Sequence, residues 1–285
     1  RFAYPMQKIQ DWLTQQWVIL QGRKINPLEC PWLMGPFGNL DIIDENFIYQ
    51  FAEKEKLVVG GETKTGGLLP SISGLNLPED ERSNLCSQVV DFYENTSNYN
   101  LYFSVKWNPF FKVFGILISK LFSDRLRQLN IPTSRANNFH ALKSDLISLV
   151  QSDSKKVKYT FWRRSIRSSG QPVYSGIYGT TTLPTGKTCI KAVFPLPNGN
   201  ATVLMTPSVG KNGELVLESS GNEFGNPGFY FLLKDSKGEY WTQYIKSFRD
   251  RLIVKSTNGS LTAEQVLTLW KKEVLRFNYK IERKQ

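Results

Sequence analysis

"TCIKAVFPLPNGNATVLMTPSV", residues 188 to 209, contains two β-rich runs flanking the turn cluster PNGN. Asn-Gly between such runs is the strongest short-range signal for a hairpin. The pattern repeats on both sides. VKYTFWRRSI, PVYSGIYGTTTL, ELVLESS, GFYFLLKD and RLIVKS are punctuated by SDSK, KNGE, DSKGE and STNGS. Spacing this close leaves no room for crossover helices, so the sheet must be antiparallel. The tail LTAEQVLTLWKKEVLRFNYKIERK (261 to 284) fits either a helix or a strand, followed by the strand LRFNYKI.

Upstream of residue 144 the period changes to that of helices. Ile9, Trp12, Leu13, Trp17 and Leu20 recur at three- and four-residue spacing, and Gly22 supplies a stop. Asp44 reads as a cap for a helix burying Phe47, Ile48 and Phe51. Pro78 followed by Glu79, Asp80 and Glu81 starts another, with Leu85, Val89 and Phe92 as its buried stripe. In YNLYFSVKW, Tyr99, Leu101, Phe103, Val105 and Trp107 alternate with mostly polar residues, as a half-buried strand requires. The fold class that follows is α+β: a helical N-terminal half packed on a large, twisted antiparallel sheet or partly closed β-barrel. Residues 1–285 form a single domain, helix-rich over 1–135 and β-rich over 136–285.

The most apolar stretch, WNPFFKVFGILISKLF (107 to 122), is interrupted by Lys112 and Lys120. It falls short of the ~20 apolar residues a spanning helix needs. It reads as an amphipathic helix from Pro109 to before Pro132, able to lie on the sheet or on a bilayer. Arg125 sits in the middle of its apolar arc. A guanidinium buried there needs an anion, and Asp91 or Glu94 is the natural internal partner.

The net charge of +11 is uneven: residues 1–150 carry 15 Lys/Arg and 15 Asp/Glu, whereas residues 151–285 carry 21 and 10. Such a balance favours an anionic ligand or surface. Three widely spaced cysteines, Cys30, Cys86 and Cys189, argue against a disulfide framework and a zinc site. They suit a reducing, cytoplasmic setting, with peripheral membrane attachment as the alternative. Sequons at Asn95, Asn200 and Asn258 are short patterns of low specificity.

The blocks FYENTSNY (92 to 99), RLRQLNIP (125 to 132), FPLPNGNATVLM (194 to 205) and NPGFYFLL (226 to 233) resemble those of uncharacterised bacterial proteins of unassigned function. The resemblance implies one folded unit and brings no activity with it.

Chemistry-bearing motifs are few. GTTTLPTGKT misses phosphate-loop spacing and precedes a strand, so it is a hairpin turn. SSGNEFGNPGF reads as an irregular loop. His140 is the sole histidine, which removes any multi-histidine metal site; no cofactor is expected. In KKVKYTFWRRSIR, a strand would place Lys156, Lys158, Trp162 and Arg164 on one side and Val157, Tyr159, Phe161 and Arg163 on the other. No recognisable nucleic-acid module accompanies it, so nucleic acid is a poor partner.

The expectation is a non-enzymatic protein that binds an apolar or amphipathic small molecule with an anionic end, in a cavity between sheet and helix. Tyr93, Tyr99, Trp107 and Tyr178 would line the cavity, with Glu94 beside it and Arg125 or Arg163 meeting the anion. The alternatives are an enzyme using Asp91, Glu94 or His140, and anionic-surface binding by the basic half to phospholipid or nucleic acid. Oligomeric state is not encoded in any motif.

Overall fold

The computed structural model describes residues 9–38, 45–60, 66–111 and 139–284. Antiparallel pairing joins β3 (Tyr99–Trp107), β4 (His140–Gln151), β5 (Val157–Ile166), β6 (Pro172–Thr182), β7 (Thr188–Leu196) and β8 (Gly199–Val209) in order. From β3 the sheet also runs the other way, through β14 (Lys272–Arg283), β13 (Ser260–Leu269), β12 (Phe248–Thr257) and β9 (Leu215–Glu218). β9 then pairs with β8, which closes a ring of ten strands.

Closure depends on β8 serving two partners. Residues 199–204 pair with β10 (Gly228–Lys234), whereas residues 206–209 pair with β9. β10, β11 (Tyr240–Tyr244) and β1 (Arg23–Ile25) therefore leave the ring as a flap. β2 (Leu57–Val59) adds to β4 from outside the ring.

Because every neighbour is antiparallel, the barrel has two distinct ends. At the cap end, α3 (Glu79–Asn84) and α4 (Ser87–Glu94) lie across the strand termini. Glu81 accepts from the Val209 amide at 2.7 Å, Asn84 Nδ2 donates to the Gly210 carbonyl, and the Cys86 amide donates to Gly213. At the opposite, rim end, β3 leaves the barrel beside the turn between β13 and β14, where Asn108 donates to the carbonyls of Val274 and Glu273.

The outer wall is covered by N-terminal segments. α2 (Glu45–Lys54) lays Phe47, Ile48, Phe51 and Ala52 on Leu149, Phe161, Ile177 and Val193. Trp32 and Leu33 cover Cys189, Leu204 and Tyr230, and α1 (Ile9–Gln21) sets Val18 and Ile19 on Leu233 and Trp241. Lys191, on the outer face of β7, is nearly inaccessible. Its ammonium donates to the carbonyls of Trp32, at 3.0 Å, and Met34, pinning that segment. Burial, then Lys158, pulls its pKa down to about 7.

Several expectations are corrected in detail. The helix expected from Pro78 is two helices broken at Leu85 and Cys86, although Leu85, Val89 and Phe92 are buried as read. In α1 the buried apolar pair is Val18 and Ile19, while Trp12, Leu13 and Leu20 are exposed, because one narrow face of the helix packs on β10 and β11, with Gln15 donating to the Pro197 carbonyl. The tail is strand throughout, a β13–β14 hairpin. Asn200 is fully buried, donates to the Pro36 carbonyl and cannot be a glycan acceptor.

The turn in PNGN is shifted by one residue from the expected Asn-Gly corner. Leu196 pairs with Gly199, so Pro197 and Asn198 form the corner, with proline's fixed φ first and Asn198 at φ 57° second. Gly199 is needed for another reason: a Cβ there would lie 2.1 Å from the Leu232 carbonyl oxygen on β10. Gly199→Ala should lower stability by roughly 1–3 kcal/mol through this overpacking. Urea unfolding measures it, and Gly74→Ala, whose Cβ would meet nothing within 4 Å, is the control.

Candidate functional site

The interior of the barrel is the candidate site. On β5, Tyr159 and Phe161 pack outward beneath α2, so the alternate residues Trp162 and Arg164 project into the lumen. Both are largely buried. The Arg164 guanidinium lies 3.9 Å from the Trp162 ring centroid, and its Nη2 donates to the Tyr178 hydroxyl on β6 at 3.0 Å. The indole is held in turn, its Nε1 donating to Ser144 Oγ at 2.6 Å. A cation inside an apolar barrel is thus positioned by a ring face, which attracts it through the ring quadrupole.

Across the lumen, β12 contributes Asp250 and β13 contributes Gln265. Gln265 Nε2 donates to both carboxyl oxygens of Asp250, at 3.0 and 2.8 Å. The backbone around Asp250 is locked to Ser219, whose hydroxyl accepts from the Asp250 amide at 2.7 Å. Burial raises the Asp250 pKa to about 7, and the Gln265 hydrogen bonds only partly offset it. Tyr178 and Tyr279 also have raised pKa values, Tyr279 to about 12, with burial the main cause. In both tyrosines Arg164 pulls the value down and Asp250 pushes it up, so the two groups of opposite sign share one field.

These residues surround a cavity of about 70 Å³. Arg164 is two residues from the end of β5 and Asp250 two from the start of β12, which places the polar groups toward the rim end. The cap end of the same cavity is apolar, formed by Leu68, Phe92, Tyr93, Leu101 and Met205. The lumen is therefore amphipathic along its axis.

The residues singled out from sequence divide accordingly. Tyr93 and Tyr178 line the lumen. Tyr99 donates its hydroxyl to Asp91, whose carboxyl is held below the usual range first by that bond. Both sit on an outer groove beside Arg283, which is 3.7 Å from Asp91. Glu94 accepts from the Ile72 amide at 2.7 Å and the Ser71 hydroxyl, stitching a short 3₁₀ turn to α4. Trp107 is half-buried at the rim end of β3 and does not line the cavity. Arg163 points outward and is ion-paired with Asp145 at 3.0 Å, because adjacent strand residues face opposite sides. Arg125 and most of the expected helix 109–130 lie outside the described residues.

Asp91, Glu94 and His140 do not converge: the two carboxylates hold separate local partners, and His140 packs its ring against Phe103. Among the described residues no cluster of histidine, cysteine and carboxylate side chains could hold a metal ion, and no helix is long and apolar enough to cross a membrane. Asp250 and Gln265 were missed from sequence. The only available signal was two polar residues at apolar-parity positions of neighbouring strands, which becomes meaningful once the barrel is closed. No known protein family, curated protein or solved structure matches the chain.

Proposed function

We propose that this chain is a binding protein whose barrel lumen takes a small amphipathic carboxylate, with the anion on Arg164 and the apolar body toward the cap end. The observation that carries this reading is the buried guanidinium stacked on Trp162 at the polar end of an otherwise apolar cavity. An anion there gains charge-assisted hydrogen bonds in a medium of low dielectric. The cavity of about 70 Å³ sets the scale. Drug-sized ligands occupy pockets of roughly 300–1,000 Å³, so the ligand is short-chained, or longer chains must displace Met205 and its neighbours.

The test is isothermal titration with hexanoate, octanoate and decanoate against wild type and Arg164→Met. A hydrogen bond to a charged group contributes about 1.5–3 kcal/mol. Arg164→Met should therefore weaken binding by one to two orders of magnitude. Equal affinity in the two proteins, or no binding by any of the three acids, would defeat the proposal.

One feature favours an enzymatic second reading: Asp250 lies in the cavity beside Gln265, where burial raises its pKa to about 7, the range in which a general acid or base is most useful. Turnover of a lumen ligand by wild type and its loss in Asp250→Asn, with binding retained, would establish it.

A further inference from the structure

We infer that the rim end of the barrel docks on an anionic lipid bilayer through the β13–β14 turn. Trp270 stands at the tip of this turn, 67% exposed, and Phe110, just past the end of β3, is 92% exposed. The two belong to one rim: the Trp270 amide donates to the Ser247 carbonyl, and Asn108 bonds to residues 273 and 274. Lys246, Lys271 and Lys272, all exposed, surround the aromatics. Glu273, beside Lys272 in sequence, pairs with Arg276, which also pairs with Glu264, both at 2.6 Å; the three exposed lysines outweigh the one net negative charge of that triad, so the face presents aromatic rings within net positive charge.

The turn's backbone points the same way. Trp270 and Lys271 adopt φ values of 49° and 65°, positions that favour Asn and Gly. The β12–β13 turn at the other end of the barrel has that pair, Asn258 and Gly259, at φ 51° and 78°. A tryptophan and a lysine held in this conformation are strained, and strain of this kind accompanies functional positions. An indole on a convex tip is suited to insertion at the headgroup level, with each nearby lysine attracted to anionic lipid. A groove that tracks a nucleic-acid backbone is not formed by such a tip.

The inference does not depend on what the lumen holds. It is tested by co-sedimentation with large unilamellar vesicles of phosphatidylcholine alone and of phosphatidylcholine with phosphatidylserine. Wild type should partition onto the anionic vesicles at least tenfold more strongly, and progressively less as salt rises. The double substitution Trp270→Asn, Lys271→Gly gives the turn its preferred residues, so the protein should melt no lower than wild type while losing at least tenfold in partitioning. Lys271→Glu with Lys272→Glu should lose as much. Wild type staying in the supernatant, binding neutral and anionic vesicles alike, or partitioning as strongly with the turn replaced would each overturn the inference.

Discussion

Between about pH 4 and pH 7 the barrel should lose on the order of 4 kcal/mol of stability through Asp250 alone. The carboxyl has its ordinary pKa of 3.8 when the chain is unfolded and about 7 when buried in the lumen. Within that window the folded state binds more protons than the unfolded state. The Asp250 contribution is therefore greatest below pH 4, falls as pH rises, and levels off above pH 7. A difference of about three pKa units at about 1.4 kcal/mol each gives the magnitude. Lys191, pulled from 10.5 to about 7, acts with the opposite sign: above pH 7 the unfolded chain holds the extra proton, and stability recovers toward pH 10. Asp91, Asp235 and Glu273, whose carboxyls are held below the usual range, oppose the acid limb at low pH, so the two contributions are read by urea denaturation across pH as differences between wild type and the single variants. Asp250→Asn should remove the acid limb and Lys191→Met the alkaline one, and a difference between wild type and Asp250→Asn that stays flat from about pH 4 to about pH 7 would show that Asp250 is not desolvated. Ligand binding carries the same signature. Above pH 7 the ionised carboxylate repels an incoming anion, so carboxylate affinity should fall in wild type and stay level in Asp250→Asn.

Most ring strands are legible because they alternate and are closed by a turn residue with a defined backbone, whereas β4 and the short β1, β2 and β11 are not read from sequence. Asn258-Gly259 is the clearest case, and the β12–β13 hairpin forms there. Where the turn chemistry is absent the reading lost its footing. Trp270 and Lys271 occupy a corner that no propensity assigns to them, which is why the tail fitted a helix as well as a hairpin. Closure of the ring could not be read either, because it depends on β8 changing partner between Leu204 and Thr206, and a strand's sequence does not state how many neighbours it has. The site suffered from the same gap. The sequence reading places the anion on Arg125 or Arg163; Arg125 lies outside the described residues, Arg163 pairs with Asp145 on the outer face, and the buried guanidinium of the lumen is Arg164. Parity alone separates Arg163 from Arg164, and which parity faces inward is set by α2 covering Phe161 from outside. That contact lies more than a hundred residues away in sequence.

Tyr93→Ala should be the most damaging single substitution at the cap, at about 3–5 kcal/mol, the range for removing a large buried ring. The ring is about 1% exposed and meets Phe92 edge-on at 5.4 Å, while its backbone carbonyl accepts from the Leu69 amide. It fixes α4 against the strands and forms the apolar end of the lumen, so removing it both weakens the lid and lengthens the cavity. The two effects are separable. Tyr93→Phe keeps the ring and should cost well under half as much in urea denaturation, since the hydroxyl contributes only a small part of the buried area. In binding, Tyr93→Ala should shift preference from hexanoate toward decanoate, because the vacated volume adjoins the apolar end and leaves Arg164 untouched. A stability loss below about 1 kcal/mol would mean that α4 does not seal the barrel in solution. An unchanged chain-length preference with a full stability loss would mean instead that the apolar body of the ligand does not reach the cap, which places it wholly among Trp162, Tyr178 and Tyr279.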